Sequence, residues 1–178
     1  MRKIVIIGPE STGKSTLCEQ LAAHYNTIWC PEYAREYLLE NGVQYTYDDL
    51  LTIAKGQVAL EDNFSQRTVN SAPLFIDTNL YVMKVWCEFV FQQCHRWILD
   101  EIAKRPYDLY LLCNTDLSWQ PDLLREYPDL ESRQQLFHIY RDILVNQSVP
   151  WIEISGTENK RLEQAIRAVD ARVNQLSF

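Results

Sequence analysis

The sequence predicts an α/β fold in which a parallel sheet is covered by helices on both faces. Three observations carry this. Short segments that are apolar almost throughout, among them Ile4–Ile7, Leu74–Ile76 and Leu109–Cys113, have the pattern of strands buried on both faces, not the alternation of a half-exposed sheet. Amphipathic segments of helical length separate one such run from the next. Polar or small residues follow the runs at Gly8, Glu32, Asp77, Asn114 and Ser155, and right-handed crossovers would collect all of those strand ends on one rim.

Taken in order, Lys3–Ile7 is the first predicted strand, stopped by Gly8, and a helix follows over Lys14–Tyr25. Thr27–Cys30 is the second strand. Pro31 opens a helix to about Glu40, because proline at a first helical position lacks only an N–H that would go unpaired; Asn41-Gly42 ends it. Tyr47–Thr68 is a longer helix with Asp48 and Asp49 near its positive end. Pro73–Ile76 is the third strand. Asn79–Lys104 reads as one long apolar helix, since Leu80, Met83, Trp86, Val90, Cys94 and Trp97 recur at helical spacing. Leu109–Cys113 is the fourth strand, and a polar stretch with Pro121 and Pro128 leads to a helix over Leu130–Val145. Trp151–Ile154 is the fifth strand and Glu158–Leu176 the closing helix. Neither repeats nor a linker interrupt residues 1–178, which are expected to form a single domain.

The 178 residues carry 47% hydrophobic and 23% charged side chains and a net charge of -7, ordinary for a globular protein and unlike the basic face of a nucleic-acid binder. The five cysteines, Cys18, Cys30, Cys87, Cys94 and Cys113, form no C-x-x-C pair and read as reduced, largely buried thiols. Four apolar residues before Gly8 are too few for a signal-peptide core, and Leu80–Phe91 is too short to span a bilayer. The expectation is a cytoplasmic protein with no membrane or nucleic-acid partner; a homo-oligomer stays open.

The chemistry starts at Gly8-Pro-Glu-Ser-Thr-Gly13-Lys14-Ser15, the pattern G-x-x-x-x-G-K-[ST] between a strand and a helix. The glycines let successive N–H groups point at phosphate oxygens, and the helix adds its N-terminal partial charge. Lys14 would reach the β- and γ-phosphates and Ser15 would ligate Mg²⁺. Glu10, Ser11, Thr12 and Thr16 complete the nucleotide-binding stretch.

What accompanies this loop separates the function classes. Leu74-Phe75-Ile76-Asp77 is an apolar strand ending in the acid expected to serve Mg²⁺, the acceptor hydroxyl, or both. The glutamate that a motor ATPase often places next is absent, since Thr78 and Asn79 follow. Asn114-Thr115-Asp116 lacks the lysine of a GTPase base-reading motif. A small kinase remains, which needs a carboxylate at the acceptor hydroxyl, an acceptor pocket, and cations on a lid that excludes water. Glu32 after the second strand is the candidate for holding the hydroxyl, with Arg35 fixing it or touching a phosphate. The stretch of about 117–135 is the candidate lid, with Arg125 and Arg133 converging on phosphate; the plainer alternative pairs Arg133 with Asp129 or Glu131. Gly156 is placed against the adenine edge of the nucleotide.

At these residues the chain resembles a known family. Gly8-Pro-Glu-Ser-Thr-Gly-Lys-Ser-Thr-Leu, Pro31-Glu-Tyr-Ala-Arg-Glu-Tyr, Phe75-Ile-Asp-Thr-Asn and Leu109-Tyr-Leu-Leu-Cys-Asn-Thr-Asp-Leu-Ser-Trp together look like the ribosylnicotinamide kinase domain of NadR-type proteins. The resemblance implies a three-layer P-loop kinase fold with strand order 2-3-1-4-5 and a lid between strands four and five. It implies transfer from Mg-ATP to the 5′-hydroxyl of nicotinamide riboside, giving nicotinamide mononucleotide. Lys14, Ser15 and Asp77 would then serve phosphate, metal and catalysis. Glu32, Tyr33 and Arg35 would lie on the substrate side, and Arg125 and Arg133 in the lid. Trp29, Tyr33, Tyr81 and Trp119 become candidates for stacking on the nicotinamide ring, against plain core packing. Because the sequence opens at the first kinase strand, the expectation is a kinase standing alone without the family's adenylyltransferase domain. A kinase for another nucleoside-like acceptor and an ATP-binding regulatory module are the alternatives.

Overall fold

A computed structural model describes residues 1–69 and 72–174. Five parallel strands form one sheet: β1 (Arg2–Ile7), β2 (Trp29–Cys30), β3 (Pro73–Asp77), β4 (Leu109–Cys113) and β5 (Trp151–Ile154). Their order is β2-β3-β1-β4-β5, as expected. In register, Val5 lies opposite Ile76 on one side and Tyr110 on the other. Seven helices are seen among the described residues: α1 (Lys14–His24), α2 (Tyr33–Asn41), α3 (Tyr47–Arg67), α4 (Leu80–Phe91), α5 (Arg96–Lys104), α6 (Leu130–Val145) and α7 (Glu158–Asn174). None is long and apolar enough to cross a membrane.

The central strands alternate their side chains between two apolar layers, as the period of two in a strand requires. Ile4, Ile6, Phe75 and Leu111 pack under Leu17, Cys18 and Leu21 of α1 and Ala165 and Val169 of α7. Val5, Ile7, Ile76, Tyr110 and Leu112 pack on the other face against Val85 of α4 and Leu136, Tyr140 and Leu144 of α6. A third apolar cluster joins α2, α3, α4 and α5 through Leu38, Leu50, Ile53, Met83 and Ile98. All five cysteines are free, four buried and Cys94 half-buried, in line with the reduced-thiol reading.

Two helices depart from the sequence expectation. The long helix over Asn79–Lys104 is two helices: Gln92 takes the left-handed conformation at φ 57° and caps α4, while His95 starts α5. A tertiary contact holds the break, since the His95 ring stacks on Tyr47 and its Nε2 sits 2.9 Å from the Tyr47 carbonyl. The apolar spacing runs on through the break and so conceals it. The second helix starts at Tyr33, not Pro31, because Glu32 is extended at its N-cap and the Pro31 carbonyl accepts from Gln57 Nε2 of α3. The expected end of the last helix at Leu176 lies outside the described residues. At the start of α3, Thr46 and Asp49 form a reciprocal capping box that satisfies two otherwise unpaired N–H groups.

Candidate active site

The loop after β1 is built for close backbone approach. Gly8 has φ 144°, and a Cβ there would lie 2.6 Å from the Cys113 carbonyl oxygen of β4. Gly13, at φ 77°, is the N-cap of α1 with no side-chain cap, which leaves the first N–H groups of the helix to an anion. Thr12 is fully buried and its hydroxyl donates to the Pro9 carbonyl at 2.7 Å, bracing the loop from inside. The Lys14 ammonium donates to the same carbonyl at 2.8 Å.

Ser15 and Asp77 meet as the sequence reading expects. The Ser15 hydroxyl donates to Asp77 Oδ2 at 2.5 Å, while Asp77 Oδ1 is buried without a partner. Burial raises the Asp77 pKa against the opposing pull of Lys14 and Ser15. A buried carboxylate oxygen with no donor is costly unless something fills it. Beside a hydroxyl and a phosphate loop, this hard oxygen set suits a small divalent cation that takes its other ligands from water and phosphate. The next residue, Thr78, is buried in the left-handed region at φ 67°, an uncommon conformation for a β-branched residue. That turn aims Asn79 away from Asp77: its Oδ1 accepts from the Tyr81 N–H at the start of α4, and its amide donates to the Tyr110 hydroxyl.

Glu32 lies across from this pair, half-buried at the N-cap of α2, with no cap bond of its own. Burial first and the Asp77 charge second push it up to about 7, against the opposing pull of Lys14 and Arg35. Glu32, Asp77, Lys14 and the phosphate loop line one cavity of about 490 Å³. An apolar and aromatic part of its wall is drawn from Val82, Val85, Trp86 and Phe89 of α4, Leu136 and Tyr140 of α6, and Trp29 and Tyr127, beside a charged part that includes Arg35, Asp122, Arg125 and Glu126.

The stretch 117–129 between β4 and α6 has no helix or strand and closes over the loop. Glu10 holds it there. Its carboxylate accepts from the backbone N–H groups of Glu126 and Tyr127, at 2.9 and 2.7 Å, and from Trp119 Nε1 at 3.2 Å. The Ser11 hydroxyl accepts from the Gln120 N–H at 2.8 Å. Thus Glu10, Ser11 and Trp119 join the loop to the cover in this structure. Arg35 spans from α2 to Asp122 as a two-pronged ion pair, 2.9 Å at the closer prong, and both residues line the cavity. A hydrogen bond also joins the Tyr45 hydroxyl, which accepts from Trp86 Nε1, to Glu126.

The remaining candidates divide. Arg125 lines the cavity and its guanidinium donates to the Gln120 carbonyl. Arg133 is buried on α6, where it donates to the Leu117 carbonyl, not to the acids of its own helix, and its Nε has no partner. It is not part of the cavity wall. Tyr33, Tyr81 and Trp119 also lie outside it. The Tyr33 ring fills the space that a Cβ on Gly56 of α3 would take, and the Tyr81 ring packs 5.6 Å from Tyr110. Thr16 lines the cavity. Gly156, at φ 93°, sits after β5 with its N–H donating to Asp116 Oδ2. The α4 wall escapes the sequence reading because residues facing a ligand cavity and residues facing the core share one helical spacing.

Comparison with known proteins agrees with this fold. The chain is 27% identical over 158 residues to the trifunctional NAD biosynthesis/regulator protein NadR of Escherichia coli, covering 86% of this chain but 38% of that protein. A crystal structure of NadR protein in complex with NAD and AMP-PNP superposes with a TM-score of 0.76 at 25% identity, over 97% of this chain and 49% of that one. A crystal structure of NadR protein in complex with NR gives the same TM-score at 24% identity, over 97% of this chain and 51% of that one. This chain therefore spans well under two thirds of the length of these NadR proteins. The AAA domain profile matches residues 3–161, and the chain belongs to that P-loop family.

Proposed function

We propose that this chain is an ATP-dependent kinase that phosphorylates the 5′-hydroxyl of a nucleoside-like small molecule, with nicotinamide riboside as the acceptor. One observation carries the reading: one cavity of about 490 Å³ has the phosphate loop, the Glu32 and Asp77 carboxylates and several aromatic side chains in its lining. That size and mix of surfaces suits a small organic ligand held beside a polyphosphate. The likeness to NadR, seen in crystals with AMP-PNP and with NR, supports the same donor and acceptor.

In this reading Lys14 exchanges the Pro9 carbonyl for the β- and γ-phosphates, and the N–H groups from Glu10 to Ser15 cradle them. Ser15 and the unpaired Asp77 Oδ1 would hold Mg²⁺. The ion supplies charge neutralisation on the phosphates. Glu32, raised to about 7, is suited to accept the acceptor hydroxyl proton near neutral pH as the oxygen attacks the γ-phosphorus and ADP leaves. Asp77 and Glu32 share the site, so the charge of one favours protonation of the other. The cover held by Glu10 keeps out water, the competing acceptor. Arg125 is the cover's cation nearest this role, and Arg133 supports the cover from below.

The test is phosphoryl transfer from Mg-ATP to nicotinamide riboside, followed by product mass, beside uridine, cytidine, thymidine and a control with no acceptor. Conversion of the riboside with slow hydrolysis in the control is expected, and Asp77→Asn should lower kcat by about 100-fold or more. Tight ATP binding with no transfer to any acceptor would overturn the proposal in favour of a nucleotide-binding module.

A further inference from the structure

On the far side of the phosphate loop from the cavity lies a buried arginine that the proposed reaction does not use. Arg161, in the first turn of α7, is 3% exposed, yet its guanidinium is fully engaged by three separate chain segments. Its Nε donates to the Gly156 carbonyl after β5 at 2.9 Å. One terminal nitrogen donates to the Thr12 carbonyl inside the phosphate loop at 2.9 Å. The other donates to the Asn114 carbonyl after β4 at 2.9 Å and is paired with the Asp116 carboxylate. Asp116 in turn accepts from the Gly156 N–H at 2.5 Å, so the acid and the arginine hold both ends of one glycine.

We infer that Arg161, fixed by Asp116, is a positioning residue for the nucleotide donor: it sets the direction of the phosphate-loop peptide between Thr12 and Gly13 and locks it to the loops after β4 and β5. The argument is geometric. A trans peptide is planar and its C=O and N–H point opposite ways. Holding the Thr12 carbonyl on the α7 side turns the Gly13 N–H to the other side, toward the hollow of the loop. Without the arginine, Thr12 is still braced through its hydroxyl on Pro9, but nothing else among the described residues holds its carbonyl. Gly13, at φ 77° and with no Cβ, is free to let that peptide rotate. A planar fork that reaches three carbonyls at once is something a guanidinium does and an ammonium does not.

The inference rests on the phosphate loop holding a nucleotide, as proposed above, and not on the identity of the acceptor. The experiment is calorimetric titration of Mg-ATP into the full chain and into Arg161→Met, Arg161→Lys and Asp116→Asn, with a thermal melt of each and the riboside KM measured alongside. Loss of charge-assisted hydrogen bonds predicts an ATP Kd raised about 10- to 100-fold in Arg161→Met, with a smaller rise in Arg161→Lys and Asp116→Asn and an unchanged riboside KM. An ATP Kd within about twofold of the parent in a folded Arg161→Met, whatever its melting temperature, overturns the inference, because a merely structural arginine lowers stability without selecting the donor. If Arg161→Met does not fold, Arg161→Lys decides by the same criterion: it preserves charge and loses the fork, so parental ATP affinity there also overturns it. A parent chain that binds Mg-ATP yet transfers to no acceptor defeats the proposed kinase reading and leaves this comparison intact.

Discussion

Replacing Glu32 by glutamine should stabilise the protein at alkaline pH while removing its transfer activity. Glu32 is pushed up to about 7 by burial and by Asp77. An ordinary glutamate titrates near 4.3, so ionising Glu32 in the folded state costs about 3 to 4 kcal/mol at most. The side chain faces an open cavity, and solvent screening leaves about half of that, about 2 kcal/mol. The sign follows from the raised acid: between about pH 4.3 and 7 the folded chain binds the proton that the unfolded chain has released, so stability falls as pH rises through that window and stays lower above it. Glu32→Gln carries no such cost. The two proteins should melt together at about pH 4.5, and the variant should melt roughly 4–8 °C higher at about pH 8, for a chain of this size. Asp77 is present in both, so the difference isolates Glu32 and its coupling to Asp77. The assay is thermal unfolding in matched buffers across that range, with kcat measured at each pH; parental kcat/KM should rise as Glu32 ionises near pH 7 and that of the variant should stay low throughout. A parent that melts as high as the variant at about pH 8 would refute the reasoning, since Glu32 would then be as well solvated as in the unfolded chain.

Other perturbations read other parts of the structure. Gly8→Ala places a Cβ 2.6 Å from the Cys113 carbonyl at φ 144°; because the obstacle is backbone of a central strand, a loss of about 3 kcal/mol and a melting temperature lower by roughly 6–12 °C are expected in calorimetry. Glu61 is 1% exposed and joins Lys3, Arg105 and the Tyr107 hydroxyl. Glu61→Gln leaves two cations without their shared anion and should cost about 3 kcal/mol in denaturant unfolding, with kcat unchanged because this cluster is remote from the cavity wall. Tyr45→Phe removes the oxygen that links Trp86 to Glu126. Steady-state kinetics should show an acceptor KM raised about 3- to 10-fold with little change in the ATP KM.

Much of this architecture was readable from the amino acids alone, and the physical reason is local. Strands buried on both faces must be apolar throughout, which marks the three central strands β1, β3 and β4, and a glycine-bounded loop between strand and helix announces a phosphate site. The pairing of Ser15 with Asp77 followed from where a parallel sheet delivers its strand ends, as did the nearness of Glu32. The resemblance to NadR-type kinases supplied the strand order, which the sheet reproduces. What the tertiary structure alone decided depends on partners distant in the chain. The break at Gln92–His95 is held by Tyr47, more than forty positions away, while the local spacing runs straight through it. Tyr33 and Tyr81 lie outside the cavity wall and Trp86 and Phe89 belong to it, a choice that hydrophobicity cannot register because a core and an aromatic pocket ask for the same side chains. Glu10 looked like one more residue of a phosphate loop, and only the closed cover shows its carboxylate taken up by the backbone of residues 126 and 127. Arg161 carried no signal in an otherwise ordinary charged helix, since its meaning lies in three carbonyls that come together only when β4, β5 and the phosphate loop share one edge of the sheet.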